Sequence, residues 1–201
     1  MRRTSRRPFM IRIAAGLVLV GLFLGTAVSS QLSDDFAALK SRNLGLPLPN
    51  LKRADLRDTF DEGRANGKPH EATDIIAPRG TPVLAIGEGT VTKLFYSRFG
   101  GNTVYEFDPP QTYCYYYAHL DRYASGIREG MSVHIGDVLG YVGSTGDARP
   151  DAPHLHLAIY RLGPKKHWWQ GTAINPYPLM MDILKAFENS SVLYQAPADA
   201  A

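Results

Sequence analysis

Ala152-Pro153-His154-Leu155-His156-Leu157-Ala158-Ile159-Tyr160 alternates apolar and polar side chains directly after a proline. A proline sets a rigid entry, and alternation at period two is the pattern of a half-buried β-strand. Side chains two apart on a strand share a face. His154 and His156 therefore point one way, and Leu155 and Leu157 point the other way into a core. Two imidazoles side by side make a poor core and a good start for a metal site. An H-x-H pair taken alone is equally consistent with two partly exposed strand histidines, so the rest of the chain has to decide.

Working outward, short β-rich runs recur at Thr81–Ile86, Gly89–Tyr96, Asn102–Phe107, Tyr113–Leu120 and Val138–Val142, punctuated by Gly, Pro and Asp. This spacing predicts an all-β fold with an antiparallel sheet. Ahead of it, Ser33–Arg42 reads as a short helix with Ser33 as N-cap and Asp34 and Asp35 in its first turn. Asn43–Asn50, with Gly45, Pro47 and Pro49, reads as an extended linker. Ala54–Phe60 reads as one or two helical turns, and Asp61–Pro69 as a polar loop. After the sheet, Arg161–Thr172 reads as a loop carrying Trp168 and Trp169. Leu179–Asn189 reads as a closing helix, and the Ala/Pro tail beyond Gln195 as disordered. The expected organisation is an N-terminal targeting segment over 1–30, a helix and linker over 31–56, the β-rich domain over 57–180, and a C-terminal helix and tail over 181–201.

The 201-residue chain has a net charge of +3, but five of its 22 basic side chains lie in the first 30 residues, which hold no acidic residue. The remaining 17 basic side chains face 19 acidic ones, so the rest of the chain is at −2. No nucleic-acid footprint is left. The five arginines precede an apolar run of 16 residues, Ile13–Val28, followed by Ser29 and Ser30. A positive head, an apolar stretch and small residues form the layout of an export signal, and Ser5-Arg6-Arg7-Pro8-Phe9-Met10 looks like a twin-arginine version. The competing reading is an uncleaved membrane anchor, for which the run is short against the roughly 20 residues of a span. The one cysteine, Cys114, excludes an intrachain disulfide and reads as a buried, inert thiol.

Four of the six histidines stand where chemistry needs them. His70 opens His70-Glu71-Ala72-Thr73-Asp74, His119 lies near the end of Tyr115-Tyr116-Tyr117-Ala118-His119-Leu120, and His154 and His156 share a strand. His134 and His167 read as surface residues. A catalytic zinc takes three protein ligands and keeps one position for water. Imidazole nitrogen and carboxylate oxygen suit zinc, whereas an all-oxygen set suits calcium or magnesium. His70, Asp74 and one histidine of the H-x-H strand supply such a set. The remaining histidines can move protons at neutral pH. The residues alone lead to a metal-dependent hydrolase.

H-x-x-x-D at His70–Asp74, A-P-R-G-T-P-V from Ala77, Y-A-H-L at Tyr117–Leu120, G-D-V-L-G-Y-V-G-S-T-G from Gly136 and P-H-L-H at Pro153–His156 follow one another in a fixed order. This succession resembles the M23 metallopeptidases, the LytM/lysostaphin-type peptidoglycan endopeptidases, from about Phe60 to Pro178. The resemblance implies an antiparallel sheet with an open, zinc-containing groove. It implies His70, Asp74 and His156 as zinc ligands, and His119 and His154 as catalytic residues. It further implies peptidoglycan peptide stems as substrate, hydrolysis by metal-activated water, and action in the periplasm or cell envelope. The chain is expected to act as a monomer, exported or held at the inner membrane by its N-terminus. Family members that bind or activate an amidase without catalysis lack some of these five residues, and all five are present here. The family's H-x-G-x-D reads H-x-A-x-D, with Ala72 in the glycine position. A backbone reserved for glycine there would displace the metal loop.

The other motif residues read as structural. Pro78, Gly80 and Pro82 shape the turn after the metal loop, and Gly140, Gly143 and Gly146 shape the approach to the His154 strand. Asp147–Asp151 is a candidate groove wall. Arg64 reads as a solvated loop residue, with reach to an oxyanion as the functional alternative. Tyr115 and Tyr117 share a face with His119, as core residues or as groove lining. Trp168 and Trp169 read as packing against the domain, with stacking on a glycan or peptide as the functional alternative.

Overall fold

The computed structural model describes residues 30–63, 67 and 69–193. The export-signal or anchor reading of the N-terminus, Arg64 and the tail beyond Gln195 lie outside these residues. Among the described residues nine strands follow in order: β1 Thr73–Ile76, β2 Pro82–Leu84, β3 Gly89–Ser97, β4 Gly101–Phe107, β5 Tyr113–Tyr123, β6 Ser132–Val133, β7 Val138–Val142, β8 His154–Leu162 and β9 Gly171–Ile174. A helix over residues 30–40 (α1) precedes them and helix α2, Tyr177–Leu193, closes the chain.

All pairings are antiparallel, with β1-β8-β5-β4-β3-β6 as the main path. β9 extends β8, and β2 pairs with β7. β5 pairs with β8 along Tyr113–Ala118 and then with β7 along Leu120–Tyr123. The sheet therefore divides where β5 leaves β8, at His119.

One face of the sheet carries Ile75, Leu155, Leu157, Ile159, Tyr115 and Tyr117, all at most 1% exposed. Burying one such side chain contributes about 1.5–3 kcal/mol. Leu39 of α1, then Leu44, Leu48, Leu51 and Leu56, and Leu179, Met180 and Leu184 of α2 complete this core. The expected linker is thus packed: its leucines recur among the turn residues and anchor the chain to the sheet. Helix α1 already includes residues 30–32, so Ser33 lies inside it and is not its N-cap. Asp35, expected to serve the helix terminus, is buried instead, accepting from the Tyr113 hydroxyl at 3.0 Å and from the Arg161 guanidinium at 2.7 Å. Only Arg53–Asp55 forms a helical turn, a 3-10 one, in the Ala54–Phe60 region.

Three strands fall outside the expected runs: the two-residue β6, and β1 and β9. β1 holds the aspartate of the H-x-x-x-D motif inside the sheet, and β9 occupies the end of the expected tryptophan loop. Both are four residues long and flanked by loops rich in turn residues. Cys114 is fully buried, and burial pushes its thiol well up, which makes it inert at neutral pH.

Candidate active site

Strand register brings the motif residues together. Thr73 stands opposite Leu157, Asp74 opposite His156, and Ile76 opposite His154. Residues directly opposite on antiparallel strands share a face, with Cβ atoms about 4.5–5.5 Å apart. Asp74 and His156 therefore meet on the face away from the core. On the other side of β8, Ala118 stands opposite His156, and its small side chain leaves room above the pair.

His119 joins them through a backbone irregularity. Regular alternation along β5 would send it into the core beside Tyr115 and Tyr117, as the sequence pattern suggests. The β4–β5 register slips between Asn102 and Val104, and His119 takes a left-handed φ of 60°. This conformation costs a non-glycine residue about 1–2 kcal/mol. It returns Leu120 to the core and turns His119 to the site face. The His119 N–H is held by the Gly100 carbonyl at 2.8 Å. Tyr116, not Tyr115 or Tyr117, is consequently the β5 tyrosine that lines the groove, beside Tyr105 and Tyr160. Tyr117 is a core residue whose hydroxyl donates to Glu106 and accepts from the Ile86 N–H.

Three donor atoms converge. His156 Nδ1 lies 2.9 Å from Asp74 Oδ1 and 3.1 Å from His70 Nε2, and His70 Nε2 lies 3.1 Å from the same carboxylate oxygen. Bonds of about 2.0–2.1 Å in a tetrahedral shell place ligand atoms roughly 3.3 Å apart, so these atoms need move only a few tenths of an ångström to share one ion. His154 Nε2 is 3.7 Å from the other Asp74 oxygen, and the His119 and His154 rings are 4.8 Å apart. His70, Asp74 and His156 form a group able to hold a metal, and all five expected residues meet at one place.

Ring tautomers are set by backbone carbonyls, which only accept. His70 Nδ1 donates to Thr59 O at 3.1 Å, His119 Nδ1 to Thr145 O at 2.8 Å, and His154 Nδ1 to Ala152 O at 2.9 Å. Each ring is left with its Nε2 lone pair for chemistry. Thr59 escaped the sequence reading. It is buried, its carbonyl holds His70, its hydroxyl accepts from the Asp74 N–H at 3.0 Å and donates to Ala72 O at 3.2 Å. A threonine ahead of the motif carries no signal in one sequence; only the fold brings it to both ligands. Thr145 plays the matching part for His119, and its hydroxyl accepts from Asn102 N–H and donates to Leu120 O.

Burial opposes charge on Asp74, yet the adjacent His156 and His70 rings outweigh it and hold the carboxyl well below the usual range. Burial lowers His156 to about 4 against the pull of Asp74, and it lowers His119 too. At neutral pH Asp74 is thus a carboxylate, and His156 and His119 are neutral, which is the protonation state that metal binding requires of a carboxylate and an imidazole.

Ala72 is fully buried and is not among the positive-φ residues; Glu71 beside it has φ 60°. The alanine in the family's glycine position therefore does not displace the loop. Gly146, at φ 79°, does need to be glycine, since a Cβ would overlap Phe99 O and Gly101 N.

A cleft of about 440 Å³ runs over the site, bounded by Pro69–Glu71, Phe99–Gly100 and Trp168–Gly171. Asp147–Asp151, expected as a wall, does not line it. Trp168 packs against Phe95 and Tyr105, whereas Trp169 is 61% exposed on the cleft rim. His134 is exposed as expected, and His167 stacks on Trp169.

Three donors meeting at one point beside unliganded imidazoles match a single-metal hydrolase rather than a closed structural site. The chain belongs to peptidase family M23, whose model matches residues 68–176. It is 37% identical over 161 residues to an L-Ala–D-Glu endopeptidase of Bacillus subtilis, covering 75% of this chain and 48% of that one. It is 43% identical over 171 residues to the peptidoglycan DD-endopeptidase ShyC of Vibrio cholerae, covering 77% of this chain and 37% of the relative. The chain thus spans half or less of the length of these relatives. The catalytic domain of lysostaphin from Staphylococcus simulans superposes with a TM-score of 0.53 at 28% identity, covering 63% of this chain and 91% of that domain.

Proposed function

We propose that this protein is an exported zinc metalloendopeptidase that hydrolyses peptide bonds of peptidoglycan stems or cross-links. The observation that carries the reading is the convergence of His70 Nε2, Asp74 Oδ1 and His156 Nδ1 with His119 and His154 beside them and outside the ligand set. Peptidoglycan is the substrate named for ShyC, and the Bacillus subtilis relative is named for an L-Ala–D-Glu bond. The basic, apolar N-terminus is the feature that supports export to the envelope, where that polymer lies.

A bound zinc would supply Lewis-acid polarisation of the scissile carbonyl and lower the pKa of water to about 7. The chain's own residues supply the rest. Asp74 offers a full negative charge, and His70 and His156 each offer an imidazole nitrogen. His119, neutral because it is buried, presents Nε2 to accept the attacking water's proton, while Thr145 holds its Nδ1–H. His119 then returns that proton to the leaving amine, and His154, held by Ala152 O, flanks the reacting carbonyl from the Asp74 side.

The test uses the zinc-loaded protein on isolated peptidoglycan, with muropeptides followed by mass spectrometry and His156→Ala as control. New peptide ends that are absent in the control establish the activity and name the bond. An intact polymer with zinc bound would instead leave a non-catalytic module that binds an amidase.

A further inference from the structure

We propose that the far arm of the cleft is a sugar subsite, in which Trp169 stacks on a pyranose ring of the glycan strand attached to the peptide being cut. The proposal rests on the peptidoglycan reading above and extends the same site.

Ring contacts run without a break from a metal ligand to the cleft rim. His156 meets Tyr116 at 5.9 Å between centroids, Tyr116 meets Tyr105 at 4.6 Å, Tyr105 meets Trp168 at 4.8 Å, and Trp168 meets Trp169 at 5.2 Å. Trp169 is therefore at most about 20 Å from the site, the reach of about six extended residues. A stem cut at the metal brings its sugar-bearing end within that distance.

The rim residue is built as a platform. Trp169 is 61% exposed, yet its plane is fixed by stacking on His167 at 4.5 Å and 16°, and by the edge of Trp168 at 80°. An exposed indole held in one orientation is an apolar face already paid for in conformational entropy. Trp168, by contrast, caps the small apolar cluster of Phe107, Cys114 and Leu162.

Charge decides between sugar and peptide. Recognition of stem carboxylates calls for Arg or Lys. Among the described residues, no Arg or Lys lines the cleft, and its one carboxylate, Glu71, is next to the ligand His70. Lys165 and Lys166 line a separate groove that shares only Gln170 and Gly171 with the cleft. The arm thus offers flat aromatic faces with uncharged polar groups, Gln170 and Tyr160, at its edge. That combination suits a ring with an apolar C–H face and hydroxyl and acetamido groups around it.

Two measurements decide it. The zinc-loaded full chain is given a cross-linked muropeptide dimer bearing its disaccharides, and the same dimer stripped of sugars. The expected ratio of kcat/KM favours the sugar-bearing dimer roughly tenfold, and Trp169→Ala abolishes that preference. An equal ratio in wild type and variant would overturn the subsite. Separately, the disaccharide alone is titrated into the His156→Ala protein while tryptophan emission is followed. A saturable change that Trp169→Phe removes supports the subsite, and no change overturns it. Failure of the wild type to cut either dimer would count against the endopeptidase reading, while the titration would still decide the subsite.

Discussion

Glu106→Gln should make the protein more stable at alkaline pH and leave it nearly unchanged in acid. Glu106 is fully buried on β4, with one oxygen accepting from Tyr117 at 2.8 Å and the other without a partner among the described residues. Burial, reinforced by the nearby carboxylates Glu88, Asp108 and Asp137, pushes its pKa from 4.5 up to about 8 against the Tyr117 bond. Below pH 4.5 the folded and unfolded chains both carry the proton, and the residue costs nothing. Between 4.5 and about 8 the folded chain keeps a proton that the unfolded chain has released, so stability falls as pH rises, by about 1.4 kcal/mol per pH unit. The interval corresponds to about 5 kcal/mol, fully expressed above pH 8. A glutamine side chain at this position has no charge to desolvate and keeps an acceptor for the tyrosine. Urea unfolding at pH 5 and pH 9 should therefore show a gain from Glu106→Gln that is about 4 kcal/mol larger at pH 9. An equal effect at both pH values would mean that Glu106 ionises normally in the fold, and that burial does not control its charge.

Other consequences follow from the site and the core. Thr59→Val removes the hydroxyl that joins Asp74 N–H to Ala72 O, and should weaken zinc affinity about 10–100-fold in chelator competition while the fold persists. Leu157→Ala, at a fully buried position opposite Tyr117 and Thr73, should cost about 2–5 kcal/mol by denaturation. Thr145→Val keeps the carbonyl that holds His119 but loses both hydroxyl bonds, so it should lower kcat more than it raises KM in a cleavage assay.

Much of this arrangement is legible in the sequence because strands report their faces. The alternation at His154–Tyr160 places two histidines on one side and two leucines in the core, as the fold has them. The converging group is legible for a different reason: spacing narrows it to His70, Asp74 and one H-x-H histidine, and the family resemblance selects His156. What alternation cannot show is where it breaks. The bulge at His119 exchanges the faces of His119 and Leu120, and so exchanges Tyr117 for Tyr116 in the groove. A single left-handed histidine leaves no mark in the residue pattern. Outer partners are hidden for a similar reason. Thr59 and Thr145 act through backbone carbonyls and single hydroxyls, and any residue has a carbonyl. The packed leucines of the supposed linker were masked by the prolines and glycine between them.

The proposed mechanism divides labour at the site: three residues would hold a metal, and His119 would move a proton. The most direct measurement compares zinc content and muropeptide cleavage in wild type, His156→Ala and His119→Ala. The expected result is that His156→Ala loses both, whereas His119→Ala keeps one zinc per chain and loses about 10²–10⁴-fold in cleavage rate. A His119→Ala protein that binds zinc and cleaves at the wild-type rate would contradict this division.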